Sequence, residues 1–431
     1  MMAAETISAT ASTRSSPAAG ATETPTSAET PTVGETPTLA APAPTGTQPL
    51  VTLTPPLPFG APAAVDPGPA ETSEPTGWSC GDFPCEDDID GFLRRIRVPE
   101  GFAVEPVGRF PGQVQQIVYG RDGALYATVL ENGTRTGAVY RMAEAGAKPE
   151  RYSGTINSPL GLAFQPETDV LYVTGRVTPE QGGGVWRIPV GGGEPEPVIT
   201  DLPCCFTLIY NQPNGLIFGR DGALYVGVGS TSDTSENPPR SNPAYRTLTP
   251  YEATVLRIQP HTGDLVVYAE GIRNAFDLAI DSTGHLYATD SGILSGPGDR
   301  LLRLEPGGHY GFPYWRERGC ETCEIKPARV TVLPDLGTFP DLTFPRGVVV
   351  YTGTQYPVNF FDNLFVALWN SVDGAQRIVR IDPRRLSEEG YAPEAFVTGL
   401  IRPIDVVIAP DGSLVVADYV YGHVWNVRYA G

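Results

Sequence analysis

Six cysteines are the most reactive side chains in the sequence, and they fall in three close pairs: Cys80 with Cys85, Cys204 with Cys205, and Cys320 with Cys323. Paired cysteines in a loop-rich chain point to disulfides formed in an oxidising compartment. Cys80 and Cys85, with only Gly81-Asp82-Phe83-Pro84 between them, are expected to bridge. For the other four, spacing leaves open whether 204 and 205 bridge each other or reach 320 and 323. Cys320-Glu321-Thr322-Cys323 lacks the following histidine of a c-type haem site. A four-cysteine zinc site would ask two adjacent residues to chelate one tetrahedral ion, which they do poorly. The histidines number four, at 261, 285, 309 and 423. Histidine is the side chain best able to exchange a proton near neutral pH. Three of them lie in turns between strands, so His309, in a Gly-Gly-His-Tyr-Gly loop, is the remaining candidate base. Glu86-Asp87-Asp88-Ile89-Asp90 lacks the spacing and glycine of an EF-hand and reads as a solvated acidic face. Asn214, Asp277 and Asp290 would be the trio for a lactonase-type metal in a central channel, though no motif marks them. There is no phosphate-binding P-loop, no dinucleotide-binding glycine pattern and no Gly-x-Ser-x-Gly elbow.

The elements that must position such residues are β-strands. Of 431 residues, 49 are Gly and 44 are Pro, which argues against a helix bundle because both break helices. The net charge is −19, and an acidic surface repels phosphate backbones, so nucleic acid is not an expected partner. Residues 1–76 are almost wholly Ala, Thr, Pro, Ser and Glu, with Glu-Thr-Pro-Thr recurring at 23, 29 and 35. Such a segment buries too little apolar surface to offset its ordering entropy, so a disordered linker is expected. It suits a tether that holds an exported domain at a cell surface, so an extracellular, periplasmic or surface location is expected. The N-terminus shows no basic and apolar export signal. Residues 77–96 form a short cysteine-containing lead-in, with an amphipathic stretch from Asp87 to Ile96.

From 97 to 431 one pattern recurs six times: an apolar strand, a turn with Asp-Gly or an equivalent, and a second strand starting Leu-Tyr-Val or similar. Gly120-Arg121-Asp122-Gly123-Ala124-Leu125-Tyr126 and Gly219-Arg220-Asp221-Gly222-Ala223-Leu224-Tyr225 are two copies. Asp-Gly between apolar runs is a strong hairpin signal because glycine accepts the positive φ of a tight turn. A third strand follows, often ending on a basic residue such as Arg141, Arg257 or Arg303. At about 56 residues per copy, each unit suits a four-stranded blade, and the pattern predicts an all-β, six-bladed propeller.

The same residues resemble the soluble PQQ-dependent glucose/sorbosone dehydrogenases, or aldose sugar dehydrogenases. The resemblance runs from about 97 to 431. It is carried by Val98-Pro99-Glu100-Gly101-Phe102, Gly271-Ile272-Arg273-Asn274, Ala288-Thr289-Asp290-Ser291-Gly292, Gly307-Gly308-His309-Tyr310-Gly311-Phe312-Pro313 and Arg402-Pro403. It implies PQQ and calcium in a central pocket and oxidation of a sugar or aldehyde. Arg273, Asn274 and Arg402 stand where the family holds PQQ, whose carboxylates suit guanidinium forks. The turn Gly296, Pro297, Gly298, Asp299 is the implied calcium loop. The family's basic histidine aligns with Asn211, which takes up no proton near neutral pH, and Leu368-Trp369-Asn370-Ser371 lacks a lysine that the glucose enzymes carry. The second reading is therefore a non-catalytic propeller that binds a carbohydrate or a protein.

Overall fold

The computed structural model describes residues 80–131, 135–179, 182–205, 212–234, 250–294 and 296–431. The expected linker 1–76 and Asn211 lie outside the described residues. The architecture is nearly all β. The one α-helix among the described residues, Ile89–Arg95, starts at Asp88, whose side chain accepts from the Gly91 N–H at 2.8 Å. The acidic run before that helix is thus a helix cap and a wet face.

Six four-stranded units follow the sequence repeats. The inner two strands are Gln113–Tyr119 and Leu125–Leu130 in the first unit, Leu162–Phe164 and Leu171–Arg176 in the second, and Pro213–Phe218 and Leu224–Val228 in the third. They are Ala275–Ile280 and Leu286–Asp290 in the fourth, Pro345–Val350 and Leu364–Leu368 in the fifth, and Pro403–Ile408 and Leu414–Asp418 in the sixth. The sixth unit draws its outermost strand, Phe102–Arg109, from the other end of the chain; it pairs antiparallel with His423–Tyr429. Hydrogen bonding divides the units among five sheets rather than six. The reason is a two-residue strand, Ile156–Asn157, which pairs with both Thr136–Met142 and Leu171–Arg176 and fuses the first two units. Inner strands neighbour one another in chain order, and the sixth also neighbours the first.

The recurring turn has a structural purpose. Asp122 accepts from its own Ala124 N–H at 3.1 Å, from the Tyr126 hydroxyl at 3.0 Å and from Arg141 Nη2 at 2.7 Å. Asp221 repeats this with Ala223, Tyr225 and Arg257. Turn, second strand and third strand are latched by one carboxylate, which explains the basic residue that ends the third strand. A threonine at the fourth position of the second strand joins units. Thr174 donates to the Asn214 carbonyl at 2.6 Å, and Thr289 to the Arg346 carbonyl at 2.6 Å. Thr128 does the same toward the Leu160 carbonyl. Where the third unit has Gly227 instead, a Cβ would stand 2.3 Å from the Ala275 carbonyl oxygen, so the next inner strand sits too close for any side chain.

The cysteines pair within their own neighbourhoods. Cys80 bridges Cys85 and Cys320 bridges Cys323, with Cα separations of 4.9 and 5.4 Å, and Cys204 pairs with Cys205. The zinc alternative therefore has no ligand set. No described helix is long and apolar enough to cross a membrane.

Candidate functional site

Arg273, Asn274 and Arg402 sit where inner strands begin. Two aspartates that end second strands build these corners. Asp290 accepts from the Asn274 N–H at 2.7 Å and the Arg273 N–H at 3.3 Å. Asp418 accepts from the Ile401 N–H at 2.7 Å and the Arg402 N–H at 3.0 Å. In both units a buried carboxylate fixes the backbone of an arginine just before the inner strand.

The side chains then part company. Arg273 is fully buried, and its guanidinium is turned into the protein. Nη2 pairs with Asp233 at 2.6 Å, Nε donates to the Asp233 carbonyl at 2.9 Å, and Nη1 donates to the Ser291 carbonyl at 3.0 Å. Burial pulls this arginine's pKa down, and the charges of Asp233 and Asp290 oppose the shift. Arg402 is half-buried and stacks 4.2 Å over the Trp369 ring; among the described residues no carboxylate pairs with it. Trp369 in turn meets Tyr419 edge-on at 5.7 Å. Asn274 accepts from Asn214 Nδ2 at 2.7 Å, while its own Nδ2 is buried without a partner. The indole Nε1 of Trp369 is a second buried donor with none.

Sequence reasoning missed Arg346 and the platform role of Trp369. Arg346 is buried at the start of the fifth inner strand, 4.3 Å over the Phe276 ring and 5.4 Å from that of Trp369. Phe276 packs with Val129, Leu160 and Ile404, residues of the first, second and sixth units, so its ring fills the space between inner strands. The arginine at the start of a strand beginning Phe-Pro-Arg-Gly was the one available signal.

Other expectations fare differently. His309 packs its ring against Gly271, two residues before Arg273. Its two-residue strand, Gly308–His309, pairs with Leu265–Glu270, the outer strand of the third unit. Its Nδ1 accepts from the Gly311 N–H at 2.9 Å, and burial lowers its pKa. That bond sets the turn of its loop. In the loop expected to hold calcium, both oxygens of Asp299 accept from backbone, at 2.7 Å from Gly292 N–H and 2.8 Å from Phe344 N–H. Burial raises this carboxyl to about 6. Among the described residues no three His, Cys, Asp or Glu side chains form a metal-binding group. Of the lactonase-type trio, Asn214 and Asp290 both bond Asn274, through its side chain and its N–H, while Asp277 accepts from the Val348 N–H.

Asp277 and Asp405 instead stitch inner strands. Asp277 accepts from the Val348 N–H of the fifth unit and Asp405 from the Ile117 N–H of the first, each at 2.8 Å. Burial pushes the Asp277 carboxyl up to about 7; burial and the Asp277 charge push Asp405 well above the usual carboxylate range. The folded state thus keeps protons that the unfolded chain releases near pH 4, and stability falls as pH rises from about 4 to 7. Asp277→Asn retains an acceptor for Val348 and removes the buried charge. It is expected to exceed the wild type by roughly 1–3 kcal/mol at pH 8 and to match it near pH 4. Urea denaturation at the two pH values checks this.

Six repeated antiparallel units, with a half-buried guanidinium, buried unpaired donors and aromatic faces at the inner-strand starts, define a repeat-built β protein with polar groups where its inner strands begin. Residues 211–423 match the glucose/sorbosone dehydrogenase family model. Its fold is similar to the PQQ-bound aldose sugar dehydrogenase of Streptomyces coelicolor, at 20% identity, TM-score 0.53, and 77% and 99% coverage of this chain and that one. It is also similar to the holo PQQ domain of Coprinopsis cinerea pyranose dehydrogenase, at 15% identity, TM-score 0.57, and 77% and 97% coverage. An uncharacterised protein of Borreliella burgdorferi is 22% identical over 379 residues, 78% of this chain and 91% of that protein.

Proposed function

We propose that the six units close into a propeller and that the starts of its inner strands form a PQQ site of the sugar dehydrogenase type. The neighbour relations of the inner strands, which return from the sixth to the first, support the closure. The observation that carries the site is Arg402: a half-buried guanidinium braced on Trp369 that forms no salt bridge with a described residue and feels the buried Asp418 charge only from a distance. Leaving such a charge without a partner costs stability unless a ligand supplies one. The donor set fits a flat tricarboxylate. Arg402 pairs with one of its carboxylates, while Asn274 Nδ2 and Trp369 Nε1 supply neutral donors. Arg273 contributes at one remove, since its pair with Asp233 anchors the corner that presents Asn274. PQQ, when bound, would supply a quinone able to accept hydride, and calcium would supply a Lewis acid for that chemistry. The loop of Gly296, Pro297 and Asp299 is the proposed calcium site, through backbone oxygens. The substrate is a small sugar or aldehyde, and the linker keeps the domain outside the cell or at its surface.

A base for the substrate hydroxyl is where this chain departs from a competent enzyme. Asn211 stands at the family's histidine position and does not accept the proton. General-base catalysis is worth on the order of 10²–10⁴ in rate, so weak turnover is expected. Asn211 also favours a second reading, a propeller that binds ligand without oxidising it. The test reconstitutes the full chain with PQQ and calcium and follows dye reduction with a panel of aldoses. Asn211→His should raise aldose-dependent reduction by about tenfold, a partial recovery of the base's worth. Wild-type turnover on a par with active enzymes, unchanged by the substitution, would show that another base operates.

A further inference from the structure

The repeat sets up an internal comparison at the opposite end of the inner strands. Where the first and third units turn from inner to second strand, both carry Gly-Arg-Asp-Gly followed by the same Asp–Tyr–Arg latch. Each turn borders a cavity shared with the following unit. In the third unit the cavity is small, about 260 Å³, and Arg220 donates to the Ser282 carbonyl of the fourth unit. In the first unit the cavity is about 730 Å³, the size of a small-molecule site. The equivalent Arg121 makes no such bond, and among the described residues it has no partner.

The lining is chemically specific. Arg141 is neutralised by Asp122, and Arg151 by Glu131, at 2.7 and 2.6 Å. That leaves one guanidinium, Arg121, and two carboxylates, Glu150 and Asp169, facing the same space. The half-buried ring of Tyr152 and the ring of Phe164, each packed edge-on against Tyr126 at 5.0 Å, supply aromatic surface. Val190, 62% exposed, adds apolar surface. A cavity with net negative charge repels phosphates and carboxylates, and the guanidinium disfavours cations. Hydroxyl groups, which both donate and accept, satisfy carboxylates and a guanidinium at once, while C–H faces pack on aromatic rings. We propose that this cavity is a second, non-catalytic site for an uncharged saccharide. It lies a seven-residue strand, roughly 20 Å, from the starts of the inner strands.

Calorimetric titration of the full chain, without PQQ, with cellotriose and with maltotriose tests the proposal. At least one trisaccharide should bind saturably, and Tyr152→Ala and Arg121→Ala, both at cavity-wall positions outside the inner strands, should each weaken binding at least tenfold. Arg402→Gln should leave that binding unchanged. The proposal is overturned if neither trisaccharide binds, if binding survives both cavity substitutions, or if Arg402→Gln abolishes it, which would place the sugar at the central site. Because PQQ is absent, failure of the dehydrogenase reading leaves this test intact.

Discussion

Arg300→Met is expected to destabilise the protein by about 3–5 kcal/mol, the cost of stripping one partner from a buried charge network. Arg300 is fully buried and all five of its N–H groups are used. Nε and Nη2 donate to Asp290 at 2.8 and 2.6 Å, and Nη1 to Asp335 at 2.8 Å. The remaining two reach the Tyr310 and Gly271 carbonyls at 2.6 and 3.1 Å. Methionine matches the length and the apolar stem but leaves Asp290 and Asp335 without this cation. Asp335 keeps Arg318 at 2.7 Å, so the heavier loss falls on Asp290. Asp290 is the residue that fixes the backbone of Arg273 and Asn274, so the damage reaches the candidate site. A lower urea midpoint with an unchanged slope is the expected signature. Arg300→Lys should recover only part of the loss, because an ammonium cannot reproduce the planar fork.

The second large effect concerns the ligand. Arg402→Gln should weaken PQQ binding by about 100-fold, or roughly 2.7 kcal/mol, since a ligand carboxylate loses its charged partner. The stability of the ligand-free protein should change little, because Arg402 forms no salt bridge among the described residues and its effect on Asp418 is long-range. Its backbone N–H still reaches Asp418, so the corner keeps its shape. That combination separates a binding residue from a structural one. Arg273 is the contrast: it is paired with Asp233 in the interior, and its replacement should unfold the corner before any ligand is considered.

How much of this was legible beforehand follows from the kind of signal each residue leaves. The hairpins were readable because Asp122, Asp221 and Asp411 precede glycines of positive φ, at 76°, 72° and 87°. The strand phase was readable from Leu-Tyr-Ala-Thr and Leu-Tyr-Val-Thr, whose threonines join neighbouring units. The chain-end strand Phe102–Arg109 was not, because nothing local says that it completes the last unit rather than starting the first. Nor could spacing distinguish Arg273 from Arg402. Both precede an inner strand and both are clamped by an aspartate, yet Asp233, from a distant loop, neutralises only one of them. The fusion of the first two units rests on one bridge, Asn157 with Arg176, which no periodicity announces. That Gly308–His309 would pair with the outer strand Leu265–Glu270 was not legible either, because a loop rich in glycine and aromatic residues reads the same at an outer edge as at a binding site.

The most direct measurement is a titration of the full-length chain with PQQ in the presence of calcium, following the absorbance of the bound quinone. Saturation at one equivalent in the wild type, with about 100-fold weaker binding in Arg402→Gln, is the predicted result. A wild-type chain that leaves the PQQ spectrum unchanged, or one that binds it equally well without Arg402, would contradict the proposed site.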